Sequence, residues 1–176
     1  GPYVATPDSP DYNDKSKARD KGPNGENPHF ADMVAYMDKL IGKLIARLDE
    51  LKQRENTLIL FVGDNGTGRG TISRIGERTV IGGKGLTTST GMRVPLVASW
   101  PAAMRGNKVV PDLADSTDFL PTICEAAGIS VPSELKIDGR SFLPQIRGER
   151  GQPRDWIYCW YSREGVLAEA RECAFD

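Results

Sequence analysis

The chain has 176 residues, enough for one domain with a sizeable core. A formal net charge of −1 leaves no basic excess for nucleic acid and no long charge block for an interaction tail. The apolar runs fall far short of a membrane span. The 3 cysteines, Cys124, Cys159 and Cys173, show no C-x-x-C spacing and do not identify a redox compartment.

Residues 1–27 are polar, charged and punctuated by Pro7, Pro10, Pro23, Gly22 and Gly25. This composition predicts an extended or partly disordered lead with no regular element. A helix is predicted over 28–54, with Asn27 as N-cap and Pro28 in the first helical position. Phe30, Met33, Val34, Met37, Leu40, Ile41, Leu44, Ile45, Leu48 and Leu51 recur at three- and four-residue steps. That continuous apolar face predicts a core helix packed on a sheet rather than a partner-binding helix. His29 is the one histidine; at a helix start it reads as solvated or locally hydrogen-bonded rather than as an acid or ligand.

Residues 57–63 (Thr57-Leu58-Ile59-Leu60-Phe61-Val62-Gly63) form an almost uninterrupted apolar run. Such a run predicts a strand buried on both faces, as in parallel sheets. Open α/β sheets bind ligands beyond the carboxyl ends of their strands. Asp64 and Asn65 stand at that end, and both offer hard oxygen donors suited to Ca²⁺ or Mg²⁺. The segment 64–92 carries Gly66, Gly68, Gly70, Gly76, Gly82, Gly83, Gly85 and Gly91 and reads as one long loop, a form usually functional or disordered. Lys84 lies between glycines within it, able to reach an anion. Two readings stand on spacing alone: an Asx turn beside a solvated lysine, or a metal-assisted anion site.

Downstream, 94–100 predicts a second buried strand, opened by Pro95 and closed by Pro101. Ser116 or Asp118 can cap a helix running to Ala127, with Gly128 as the stop and Pro121 in its first turn. Asp112, Asp115 and Asp118 are explained by a solvated loop and a helix start better than by a second metal cluster. A short helix is predicted over 141–147, a strand over 156–161 and another over 167–175. No internal repeat is visible. The alternation predicts an α/β fold with helices on both faces of a mostly parallel or mixed central sheet.

Several pieces, taken in order, add a family resemblance. They are Asn56-Thr57-Leu58-Ile59-Leu60-Phe61-Val62-Gly63-Asp64-Asn65-Gly66, Gly83-Lys84-Gly85, Arg93-Val94-Pro95-Leu96 and Trp100-Pro101. Phe30-Ala31-Asp32-Met33-Val34-Ala35-Tyr36-Met37-Asp38 precedes them. Asp118-Phe119-Leu120-Pro121-Thr122 and Asp138-Gly139-Arg140-Ser141-Phe142-Leu143-Pro144 follow. The series resembles the carboxyl-terminal half of the sulfatases, in the alkaline phosphatase superfamily. The resemblance implies that 28–150 is the carboxyl-terminal part of a larger sulfatase α/β domain and that 151–176 begins a small carboxyl-terminal subdomain. It implies a sulfuric ester hydrolase acting on a small-molecule or carbohydrate sulfate ester, with periplasmic or extracellular placement.

By the same resemblance Asp64 and Asn65 match two Ca²⁺ ligands, and Lys84 matches the catalytic lysine that binds the sulfate oxygens. Arg93 matches a motif arginine with a structural role. The family commonly has Glu-Gly after this lysine, where this chain has Ser89-Thr90 before Gly91. The family nucleophile is a formylglycine made from the cysteine of a C-x-P-S-R motif, which has no match here. The nucleophile is therefore expected outside this chain, and the chain alone is expected to be inactive. Cys159-Trp160-Tyr161-Ser162-Arg163 imitates that motif but replaces its proline with tyrosine, and reads as a structural strand cysteine. The alternatives are a phosphodiesterase or phosphonate hydrolase of the same superfamily, and a catalytically silent domain.

Overall fold

The computed structural model describes residues 3–17 and 29–176. Its elements are α1 (His29–Glu50), β1 (Ile59–Val62), β2 (Ile72–Ile75), β3 (Arg78–Ile81), α2 (Ser89–Met92), β4 (Leu96–Ser99), α3 (Phe119–Ala126), α4 (Leu143–Ile146), β5 (Ile157–Tyr161) and β6 (Arg171–Phe175). Short 3₁₀ turns lie at Arg54–Asn56, Ser116–Asp118 and Leu167–Glu169. The chain divides into two compact units, Gly1–Arg54 with Gly63–Val94, and Glu55–Val62 with Pro95–Asp176.

In the first unit, residues 3–17 contain no helix or strand, as the prolines predict, but they are not extended. They form successive turns tied to α1. The Thr6 amide donates to Ser9 Oγ at 2.9 Å, and Ser9 Oγ donates to Asp32 Oδ2 at 2.6 Å. Tyr3 meets Phe30 edge-on, with ring centroids 5.1 Å apart. The predicted cap at Asn27 and Pro28 lies outside the described residues.

Helix α1 stops at Glu50, short of the predicted 54. The amides of Lys52 and Gln53 donate to the carbonyls of Asp49 and Leu48, each at 2.9 Å. These two bonds form a Schellman closure, and Lys52 takes the left-handed conformation at φ 57° that the closure requires. The expectation of a buried apolar face is corrected: Val34, Met37, Leu40 and Leu44 are all exposed. The periodicity was sufficient to form the helix, but no described element of its unit covers those side chains.

The expectation of a structureless 64–92 loop is also corrected. β2 and β3 form an antiparallel hairpin within it, in register from Ile72↔Ile81 to Ile75↔Arg78. The connection is Gly76-Glu77, with positive φ (60°) at Gly76 only, the pattern of a type II′ turn. The β-branched residues on either side of a Gly-X pair carried this signal in the sequence.

In the second unit, β1 pairs antiparallel with β4, from Ile59↔Ser99 to Val62↔Leu96. The predicted strand at 57–63 is therefore shorter, and it is half-buried rather than covered on both faces; Val62 is exposed. All three described ladders are antiparallel two-stranded pairs, so the parallel neighbours expected for this strand are not among them. With one partner and one covered face, the strand keeps a period of two: Leu58 and Leu60 pack on the core while the intervening side chains do not.

That core centres on Phe142, Leu143 and Ile146, joined by Leu96, Ala98, Trp100, Phe119 and Ala126. Phe119 meets Phe142 edge-on at 5.9 Å. The helix predicted over 141–147 contracts to α4. The start of α3 is built by Asp115, which accepts from the Thr117 amide at 2.8 Å while its own amide donates to Asp118 Oδ2 at 2.8 Å. Gly128, at φ 68°, ends the segment as predicted.

Asp118 stands at the helix start, as one half of the sequence reading had it, but it is not solvated. It is buried and accepts from Arg154 Nε at 3.0 Å and from the Arg140 amide at 2.6 Å. Burial acts to raise its carboxyl. The hydrogen bonds of Arg154 and of the two amides outweigh that and hold it below the ordinary carboxylate range. Arg154, 36 residues distant in sequence, was the unforeseen partner.

Candidate metal and anion site

The three residues singled out in sequence lie in one unit, on one glycine-rich stretch. Asp64 and Asn65 follow β1 in the chain. Lys84 returns beside them after the hairpin: its amide donates to the Thr67 carbonyl at 2.9 Å, and the Gly82 amide donates to the Thr71 carbonyl at 2.9 Å. The ladder of β2 and β3 is thus extended back toward Asp64. Arg69 braces the lysine turn, Nε donating to the Lys84 carbonyl at 3.2 Å and Nη2 to the Gly85 carbonyl at 3.4 Å.

Close backbone approach explains two of the glycines. The Gly66 amide donates to the Gly91 carbonyl at 3.1 Å. A Cβ on Gly66 would overlap the Thr90 carbonyl, and one on Gly91 would overlap the Leu86 carbonyl. Both obstacles are backbone, which no side-chain rotation relieves. The loop from Gly66 to Met92 is therefore a fixed cradle rather than a tether. Beneath it, Thr71 is buried and donates to the Tyr3 hydroxyl at 3.2 Å. Tyr3, Arg69 and Thr71 were missed in sequence because nothing in their spacing marks them as supports.

Asp64 Oδ2 accepts from Asn65 Nδ2 at 2.8 Å. That hydrogen bond, and then the positive charge of Lys84, hold the Asp64 carboxyl below its ordinary value. Asp64 is thus a carboxylate at neutral pH. Asp64, Asn65 and Lys84 are all exposed. The bond leaves Asn65 Oδ1 and the second carboxylate oxygen as hard donors, which fit a Ca²⁺ ion. They would fill only part of a Ca²⁺ shell: Ca²⁺ takes about six to eight oxygens, and no group of three or more His, Cys, Asp or Glu gathers among the described residues.

His29 stands apart from this set. It is buried, with Nε2 on the Lys17 carbonyl at 3.0 Å and Nδ1 on Asp32 Oδ2 at 3.3 Å. Of the two readings made from sequence, the locally hydrogen-bonded one describes it. Cys159 lies on β5 opposite Cys173. Burial, together with Cys173, raises its thiol, which suits a structural cysteine rather than an activated catalytic one.

The family model described as Sulfatase matches residues 2–129. The steryl-sulfatase of Mus musculus is 34% identical over 138 residues, covering 74% of this chain and 22% of that protein. The solved PsFucS1 sulfatase from Pseudoalteromonas sp. aligns with TM-score 0.63 at 30% identity, over 76% of this chain and 27% of that one. Ps i-CgsB aligns with TM-score 0.72 at 26% identity, over 99% of this chain and 37% of that one. The fold is of the α/β class of these structures. The chain belongs to the sulfatase family, and it spans roughly a quarter of the curated relatives' length, 22% of one steryl-sulfatase and 27% of arylsulfatase A.

Proposed function

We propose that this chain contributes part of a divalent-metal and sulfate site to an enzyme that hydrolyses sulfate monoesters of small molecules or carbohydrates. The observation that carries the reading is the grouping of an ionised Asp64, its partner Asn65 and the Lys84 ammonium on one rigid glycine cradle of a sulfatase-family chain. Asp64 and Asn65 would hold Ca²⁺ by their oxygens. When bound, that ion neutralises charge on the sulfate oxygens. Lys84 is kept in place by Thr67 and Arg69 and supplies a fixed positive charge for the oxyanion that develops as the ester bond breaks. A formylglycine nucleophile would come from outside this chain. Residues 28–150 would form part of the α/β domain and 151–176 the start of a smaller subdomain.

Hydrolysis of an aryl sulfate by the intact enzyme, measured with its calcium content, tests the assignment. Asp64→Ala should lower calcium occupancy and turnover together. Lys84→Ala should lower turnover by about a hundredfold or more while largely sparing calcium, because a cation cannot ligate one. Unchanged turnover and calcium in Asp64→Ala would refute the site. Preference for an aryl phosphodiester over the sulfate would favour the phosphodiesterase reading.

A further inference from the structure

Cys159 and Cys173 are direct partners in the antiparallel register of β5 and β6, the third of five pairs. Opposite residues of an antiparallel pair point to one face, with Cα atoms about 4.5–5.5 Å apart. That separation lies inside the range of about 4.4–6.8 Å that a disulfide spans. Both side chains are half-buried, and the Cys159 thiol is hydrogen-bonded to that of Cys173. The adjacent pairs on the same face are Ile157↔Phe175 and Tyr161↔Arg171, so the two sulfurs have an apolar contact on one side. Cys124 lies on α3 and has no register partner.

We propose that Cys159 and Cys173 form a disulfide site, closed by exchange with a low-molecular-weight disulfide such as oxidised glutathione. The thiolate of one cysteine attacks a sulfur of the small disulfide. A protein–small-molecule S–S bond forms, the original S–S bond breaks, and one small thiolate leaves. The second cysteine, as its thiolate, attacks the protein sulfur of this adduct and expels the other small thiolate. The two cysteines lose two electrons and two protons, and the small disulfide becomes two thiols.

The bond would staple a hairpin that is weak by itself. An isolated two-stranded hairpin is marginal in water, and the connection over residues 162–170 exposes Val166 and Leu167. A cross-tie at the central pair fixes register, because a slip of one residue would carry the two sulfurs to opposite faces. This inference is independent of the sulfatase reading.

The test is to equilibrate the full chain in glutathione buffers from reducing to oxidising, quench in acid, alkylate free thiols and map peptides by mass. The expected result at the oxidising end is loss of two hydrogens, one remaining free thiol at Cys124 and a cross-linked peptide joining Cys159 to Cys173. Cys124→Ser should give the same cross-link, and Cys173→Ser should instead retain glutathione on Cys159. The oxidised chain should melt several degrees higher than the reduced one. Glutathione adducts on Cys159 or Cys173 without the cross-link, a cross-link through Cys124, or three free thiols at the oxidising end would each overturn the proposal.

Discussion

At His29, both ring nitrogens face groups that accept and cannot donate: the Lys17 carbonyl at Nε2 and the Asp32 carboxylate at Nδ1. A neutral imidazole carries one N–H, so only the imidazolium satisfies both. The Lys17 carbonyl and then Asp32 accordingly raise His29 above its ordinary value of 6.5. The bonds from Ser9 and His29 lower Asp32 from 3.8. For a raised histidine, the stabilisation is fully present below the unfolded value and is lost as pH rises through the folded one. For the lowered aspartate it is present above 3.8 and is lost as pH falls through the folded value. The link between α1 and the lead should thus hold in mildly acidic solution and weaken in alkaline solution. A nuclear magnetic resonance titration of the single imidazole should give a midpoint above 6.5, and Asp32→Asn should move it down. A wild-type midpoint at or below 6.5 would show that the ring does not hold both bonds. In sequence the histidine read better as solvated or locally hydrogen-bonded than as a ligand, but its partners could not be named, because the Lys17 carbonyl lies 12 residues away in sequence.

Among the elements, α1 was the most legible, since ten apolar residues at helical spacing leave little choice of period. Its end was not legible, because the stop is a lysine where the Schellman closure favours glycine. A non-glycine residue in the left-handed region costs about 1–2 kcal/mol, and the greater entropy lost by glycine returns part of that. Lys52→Gly should therefore stabilise the chain by about 1 kcal/mol, read as a shift of the urea midpoint at unchanged slope. A loss of stability would mean that Lys52 makes a contact worth more than its backbone strain. The β2–β3 hairpin failed for a different reason. Its glycines drew attention to loop freedom, while the signal lay in Ile72, Ile75, Val80 and Ile81 flanking Gly76-Glu77. The Asp64–Asn65–Lys84 grouping was legible because its residue types are few and flank a clear apolar run. The cradle that fixes it depends on contacts between Gly66, Thr90, Gly91 and Leu86, which no local pattern announces.

On the scale of the whole molecule, α1 leaves an apolar stripe uncovered. The chain spans 22% of the length of a related steryl-sulfatase. A helix with a continuous apolar face normally lays it on a neighbouring layer. Here Val34, Met37, Leu40 and Leu44 remain open, and Leu44 is 56% exposed. Water around such a stripe favours any contact that removes it, and contiguous apolar patches of this kind mark association surfaces. The 176-residue chain, purified by itself, should therefore bind a hydrophobic dye while folded and associate as concentration rises. Leu40→Lys with Leu44→Lys should reduce both effects. Because these side chains are exposed, each substitution should change stability by no more than about 0.5 kcal/mol. Sedimentation at several concentrations, paired with dye fluorescence and a melting curve, separates surface association from unfolding. A monodisperse monomer that binds no dye would show that the stripe is covered in solution. Equal association by the wild type and the double variant would place the contact elsewhere on the chain.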